Sequence, residues 1–142
     1  MTLAALEATL RLYRDEDRAV AQIPTLRRLF LRSPEIEGLA NQLADGLRRL
    51  ADARLCVGVY ELASRAGGGA LPLLELPSCC VGVSMTDRSV NAIAQAMRNH
   101  SPPIIGRIDN DLFIMDPRTI EPDEIESIVS AFRRIVHMDA PE

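Results

Sequence analysis

The apolar residues of this chain change their period at Ala53, and that switch limits the fold more than any other feature. Before it they recur every three or four residues; after it comes a stretch in which they alternate. Helical and extended segments must therefore share one core, because a run patterned for one period buries its apolar side poorly in the other.

Leu3, Leu6, Leu10 and Tyr13 sit at helical spacing and predict an amphipathic helix over 2–14. The charged stretch Arg14–Arg18 ends that helix or carries it into solvent. Pro24 suits the first turn of a short second helix through Phe30, since proline lacks only an amide that has no helical acceptor there. Ser33-Pro34-Glu35 predicts a third start, with Ser33 as N-cap and acids in the first turn. Its helix buries Ile36, Leu39, Leu43, Leu47 and Leu50 on one side, weakened slightly by Gly46.

Beyond Ala53, residues Arg54–Leu62 (RLCVGVYEL) alternate as a strand, RAGGGALP follows, and a second strand covers Ser78–Met85. Asp87 caps a helix whose apolar side is Val90, Ile93, Ala94 and Met97. Pro102-Pro103 break the chain before a strand Ile104–Ile108, and Asp109-Asn110-Asp111 turns it into Leu112–Met115 as a hairpin. Pro122 starts a last helix carrying Ile125, Ile128, Val129, Phe132 and Ile135. The order α-α-α-β-β-α-β-β-α predicts an α+β sandwich, an antiparallel or mixed sheet with helices on one face, preceded by two helices. Those two helices have no strands to cover. Residues 1–32 are thus expected to form a helical segment that packs outside the chain or onto the sandwich, 33–138 the α+β domain, and 139–142 a frayed tail.

Composition excludes several functions. The 142 residues suffice for one domain with a modest core, and no apolar run approaches the roughly 20 residues of a membrane span. The first residues, apolar and charged by turns, have no basic n-region and do not read as a signal peptide, so the cytoplasm is the expected compartment. A net charge of −4 disfavours a free-standing nucleic-acid binder, though not local contact with RNA. The pairs Arg27-Arg28, Arg48-Arg49 and Arg133-Arg134 read as solvated helix faces, with no interleaved aromatic residues for stacking. Cys56, Cys79 and Cys80 lack the ligand spacing of a metal site, as do His100 and His137. There is no GxSxG nucleophile motif. All 16 basic residues are arginine, which forbids any mechanism that needs an internal lysine Schiff base.

The segments TLAALEATLRLY (Thr2–Tyr13), IPTLRRL (Ile23–Leu29), GGGALP (Gly67–Pro72) and PPIIGRIDNDLFIMDPRT (Pro102–Thr119) resemble, in order, the last third of bacterial selenocysteine synthase, L-seryl-tRNA(Sec) selenium transferase. Two positions depart from that family's pattern: Ala70 stands where serine is usual, and Pro117 where leucine is. The resemblance implies the small carboxy-terminal domain of a fold-type I pyridoxal-phosphate enzyme that assembles into rings of dimers. Such an enzyme acts on serine esterified to tRNA(Sec), eliminates its hydroxyl and adds selenium from selenophosphate. The lysine that holds the cofactor, and the arginines that hold the selenium donor, belong upstream of the position matching Thr2. A carboxy-terminal fragment, inactive without its cofactor domain, is the expectation. Its expected partners are that large domain or full-length subunits, tRNA(Sec) and further copies in a homo-oligomer, with no membrane.

The resemblance also directs attention to particular residues. Gly67, Gly68 and Gly69 read either as a close-approach loop at the mouth of a composite active site or as a plain turn between strands; no helix opens after them, as a phosphate loop would require. In many fold-type I enzymes a small-domain arginine clamps the substrate carboxylate, which makes Arg118 and Arg107 the candidate substrate-binding residues. An aminoacyl ester has no free carboxylate, so either arginine would meet a phosphate instead. Asp109, Asp111 and Asp116 offer each a structural ion pair as the competing reading. Two other functions stay open: a related enzyme acting on a small amino acid or amino sugar, and a non-catalytic interaction module.

Overall fold

The computed structural model describes residues 2–65 and 75–138. It divides into two compact units, Met1–Arg32 and Ser33–Glu142.

The first unit holds three helices, α1 (Leu3–Leu12), α2 (Glu16–Gln22) and α3 (Pro24–Leu29). Three helices, not two, therefore precede the α+β part: α1 ends before the charged stretch, as one of its two readings has it, and α2 is the helix that reading lacks. Asp15 accepts a hydrogen bond from the Arg18 amide at 3.1 Å, and Glu16 and Asp17 occupy the first turn, where the helix dipole favours acids. The run at Arg14–Arg18 thus starts a new helix. Pro24 is the first residue of α3, as its missing amide allows. Helix α1 buries none of its own residues, and Leu3 is 84% exposed.

The second unit begins with α4 (Ser33–Arg48), whose Ile36, Ala40, Leu43 and Leu47 are buried while Leu39 and Leu50 pack at the margin of the core. Strands β1 (Leu55–Arg65) and β2 (Glu75–Met85) then pair along eleven residues each, from Leu55 opposite Met85 to Arg65 opposite Glu75. Both run farther than the alternation predicts, adding the pairs Ala63–Pro77, Ser64–Leu76 and Arg65–Glu75. Helix α5 (Val90–Arg98) starts at Ser89, whose hydroxyl accepts from the Ala92 amide at 3.3 Å. Asp87 does not cap it; its carboxylate instead takes Arg54 Nη1 at 2.8 Å.

The hairpin of β3 (Arg107–Asp109) and β4 (Leu112–Met115) forms as expected, with a shorter first strand. The Ile104 amide donates to the Met97 carbonyl at 3.0 Å, so it serves the end of α5 and not a strand partner. Asn110 and Asp111 turn the chain with φ of 47° and 57°, the pair of left-handed residues that a type I′ turn needs. The sheet order is β1-β2-β4-β3 with every pairing antiparallel, which resolves the antiparallel-or-mixed expectation. A 3-10 turn at Pro117–Thr119 and another at Pro122–Glu124 lead into α6 (Ile125–Met138). Pro122 therefore opens a 3-10 turn, and the α-helix proper begins at Ile125.

The core lies between the sheet and α4, α5 and α6. Val81, Val83, Met85, Phe113 and Met115 meet Leu43, Leu47, Ile93, Met97, Ile128 and Phe132 there. The Phe113 and Phe132 rings pack edge to face, centroids 6.3 Å apart at 62°. Because β2 alternates, Ser78, Cys80 and Gly82 fall on the opposite face, away from the helices. Among the described residues no helix is long and apolar enough to cross a membrane. The tail 139–142 lies outside the described residues.

Candidate functional site

Strand β4 pairs with β2 only at Val81–Val83, so the outer halves of β1 and β2 stand clear of the four-stranded sheet as a two-stranded arm. Where the arm leaves the sheet, the end of β4 meets it. Asp116 follows β4 and accepts the Ser78 hydroxyl on Oδ1 at 2.8 Å and the Ser64 hydroxyl on Oδ2. Oδ1 also accepts the Arg118 amide at 3.0 Å, the local turn that an Asp two residues upstream commonly makes. The Thr119 hydroxyl donates to the Asp116 carbonyl at 2.9 Å, completing the 3-10 turn. Ser64 and Ser78 are both buried, so their hydroxyls need this acceptor.

Arg118 lies within the same knot. It is only 7% exposed, and its Nη2 donates to the Pro77 carbonyl on β2 at 2.7 Å. Arg107 is exposed on β3, opposite Ile114 of β4, at the free edge of the sheet. The two candidate arginines thus differ in environment: one is built into the base of the arm, the other faces solvent. Gly67, Gly68 and Gly69 lie outside the described residues, between the ends of β1 and β2 in sequence.

Acidic groups surround the arm on its other side. A groove of about 570 Å³ between the start of α4 and the arm is lined by Ser33, Ile36, Glu37, Glu61, Glu75 and Cys79, among others. Burial, reinforced by Glu37 and Glu61, pushes the Cys79 thiol up from its ordinary value. Burial likewise pushes Cys80 up to about 11, with the Asp116 carboxylate adding to the effect and Arg107 opposing it. Neither cysteine gains from its surroundings the thiolate character that marks an activated cysteine. Among the described residues no cluster of histidine, cysteine and acids has the form of a metal site.

Sequence reasoning named Arg107 and Arg118 but treated Asp116 only as a possible counter-ion. The signal available was the Asp-Pro-Arg-Thr tetrapeptide, which marks an Asx-type turn. Its two serine partners sit 52 and 38 residues away, and nothing in their local sequence marks them.

The family model described as L-seryl-tRNA selenium transferase matches residues 1–121. The chain is similar to the L-seryl-tRNA(Sec) selenium transferase of Geotalea daltonii, 45% identical over 136 residues that make up 96% of this chain and 29% of the relative. The protein of the same name from Geobacter sulfurreducens is 39% identical over 95% of this chain and 29% of its own length. That of Moorella thermoacetica is 40% identical over 92% of this chain and 28% of its own. The chain therefore spans less than a third of the length of these curated relatives.

Proposed function

Because this chain belongs to the L-seryl-tRNA selenium transferase family, we propose that it is the carboxy-terminal portion of an enzyme that converts seryl-tRNA(Sec) to selenocysteinyl-tRNA(Sec) with selenophosphate. The single observation that carries this reading is identity of 45% along 96% of the chain to a protein of that name. The coenzyme of the reaction is taken to be pyridoxal phosphate. The residues present do not fit its covalent attachment, since all 16 basic side chains are arginine and a guanidinium does not form a Schiff base with an aldehyde. The lysine must come from the part of the enzyme that this chain does not span, and the chain alone is inactive.

In this reading the α+β unit shapes and shuts the mouth of a pocket whose reacting groups lie in a separate cofactor domain. Arg107, exposed on β3, is suited to meet a phosphate of the tRNA end or of the selenium donor. Arg118 supports that contact from the base of the arm, and Gly67–Gly69 are the further residues assigned to substrate binding. The stripe of Leu3, Leu6 and Leu10 on α1, exposed in the chain itself, seats against the cofactor domain. The assembly is a homo-oligomer that works in the cytoplasm.

The test is reconstitution. The chain is produced in one polypeptide with the cofactor domain of a relative and supplied with seryl-tRNA(Sec) and selenophosphate. Selenocysteinyl-tRNA is expected from the joined protein; a joined protein that is folded and coenzyme-loaded yet converts nothing would remove the reading.

A further inference from the structure

The β1–β2 arm has a mechanical problem. Past Val81 it has no sheet neighbour on the β4 side, so beyond α4 on its other side only the turn after β4 is left to hold it. One carboxylate compensates. Asp116 binds β1 through Ser64 and β2 through Ser78, and it fixes the amide of Arg118, whose guanidinium reaches back to the Pro77 carbonyl. Each bond to the carboxylate is charge-assisted, the stronger class of hydrogen bond. Both serines are buried, so water does not replace what the carboxylate supplies.

We propose that Asp116 is a positioning residue: it locks the outer half of the β1–β2 arm to the 3-10 turn bearing Arg118, so that arm and turn hold one fixed placement on the sheet. The inference rests on the proposed function only for its catalytic consequence. It assigns Asp116 no contact with substrate; the residue acts through what it holds. Misplacement of a positioning element by an ångström is enough to cost on the order of a hundredfold in rate.

The test has two arms. Hydrogen exchange is followed on the 142-residue chain as wild type, Asp116→Ala and Asp116→Asn. Asp116→Ala is expected to speed exchange about tenfold or more in residues 61–65 and 75–79, while residues 55–59, 81–85 and α6 change less than about twofold. Asp116→Asn recovers part of the protection, because its amide still offers an acceptor to Ser78 and a donor to the Ser64 oxygen. Should Asp116→Ala not fold, Ser64→Ala and Ser78→Ala each remove one bond and show smaller increases in the same two segments.

In the joined enzyme, kcat per coenzyme-loaded site falls about tenfold or more for Asp116→Ala, while KM for the tRNA changes less than about threefold, its affinity being spread over many phosphates. A role in folding alone would lower the number of loaded sites and leave kcat per site untouched. Uniform or unchanged exchange across the unit, or an unaltered kcat per site in an active enzyme, would overturn the proposal. An inactive wild-type joined enzyme would instead sink the functional reading, and the exchange data would still decide the clamp.

Discussion

Arg54 donates through Nη2 to the carbonyl oxygen of Val136 at 2.7 Å, so a side chain at the entry to β1 closes the last turn of a helix 82 residues away. The last carbonyls of a helix have no partner within it, and Arg54 supplies one. Asp52 holds the same guanidinium through Nε at 3.0 Å and Nη2 at 2.9 Å, and Asp87 holds Nη1 at 2.8 Å. Two connections of the α+β unit, α4 to β1 and β2 to α5, are thereby fastened at one point with the end of α6.

Arg54→Ala should speed amide exchange in the last turn of α6 and lower Tm, and Arg54→Lys should recover only part of the loss, because an ammonium lacks the planar fork that serves three acceptors. The hydrogen bonds from Arg54 hold the Asp52 carboxyl below its ordinary value of 3.8. A carboxylate with a depressed folded pKa stabilises the fold above its unfolded pKa, and loses that contribution as pH falls through the folded value. The Tm difference between wild type and Arg54→Ala should therefore be full near neutral pH and shrink below about pH 3.8. A gap that stays constant into strong acid would contradict the assignment.

Gly46 of α4 lets α6 approach closely. A Cβ at that position would stand 2.8 Å from Val129 Cγ2, and a β-branched neighbour cannot swing aside freely. Gly46→Ala should destabilise by about 1–2 kcal/mol, the overpacking cost exceeding the gain of roughly 1 kcal/mol in helix propensity. Adding Val129→Ala should cost less in the Gly46→Ala background than in wild type. Chemical denaturation of the four proteins of this cycle measures it, and strict additivity would deny the contact.

Asp111 holds a φ of 57° that glycine adopts without steric cost. Asp111→Gly creates Asn-Gly, the pair most favoured in a type I′ hairpin turn, and should leave stability unchanged or raise it by up to about 1 kcal/mol. Asp111→Val should lower it by about 1–2 kcal/mol, since a β-branched residue resists this backbone region. Equal stability of the two variants would argue against the turn.

Thiol reactivity should separate the cysteines. Cys56 is exposed and should react with a disulfide reagent at pH 8, whereas buried Cys80, its thiol pushed up to about 11, should react only after unfolding. A raised folded pKa favours the fold below the unfolded value, and that contribution is lost as pH climbs through the folded one, so Tm should decline more steeply between about pH 9 and 11 in wild type than in Cys80→Ala. Rapid labelling of Cys80 in the native protein would contradict its burial.

Legibility in the sequence followed the range of the interactions. The stripe of α4, the proline start of α3 and the Asp109-Asn110-Asp111 hairpin are each decided within a few residues, and the structure contains them. Helix α2 escaped notice because its cap, Asp15, sits inside a run of charges that reads as solvated chain. Asp87 lost the cap to Ser89 because a distant arginine claimed its carboxylate. Ile104 left the predicted strand because the end of α5 took its amide. The Asp116 knot is local only at the Arg118 amide; Ser64 and Ser78 reach the carboxylate through folding alone.

The most direct test of the functional account is a visible spectrum of the purified chain with pyridoxal phosphate, taken alone and again after it is joined to the cofactor domain of a relative. With no lysine amine to offer, the chain alone should leave the free-coenzyme spectrum unchanged, and the joined protein should develop the shifted band of a lysine-bound coenzyme. A stable lysine-type band from the 142 residues alone would contradict the account.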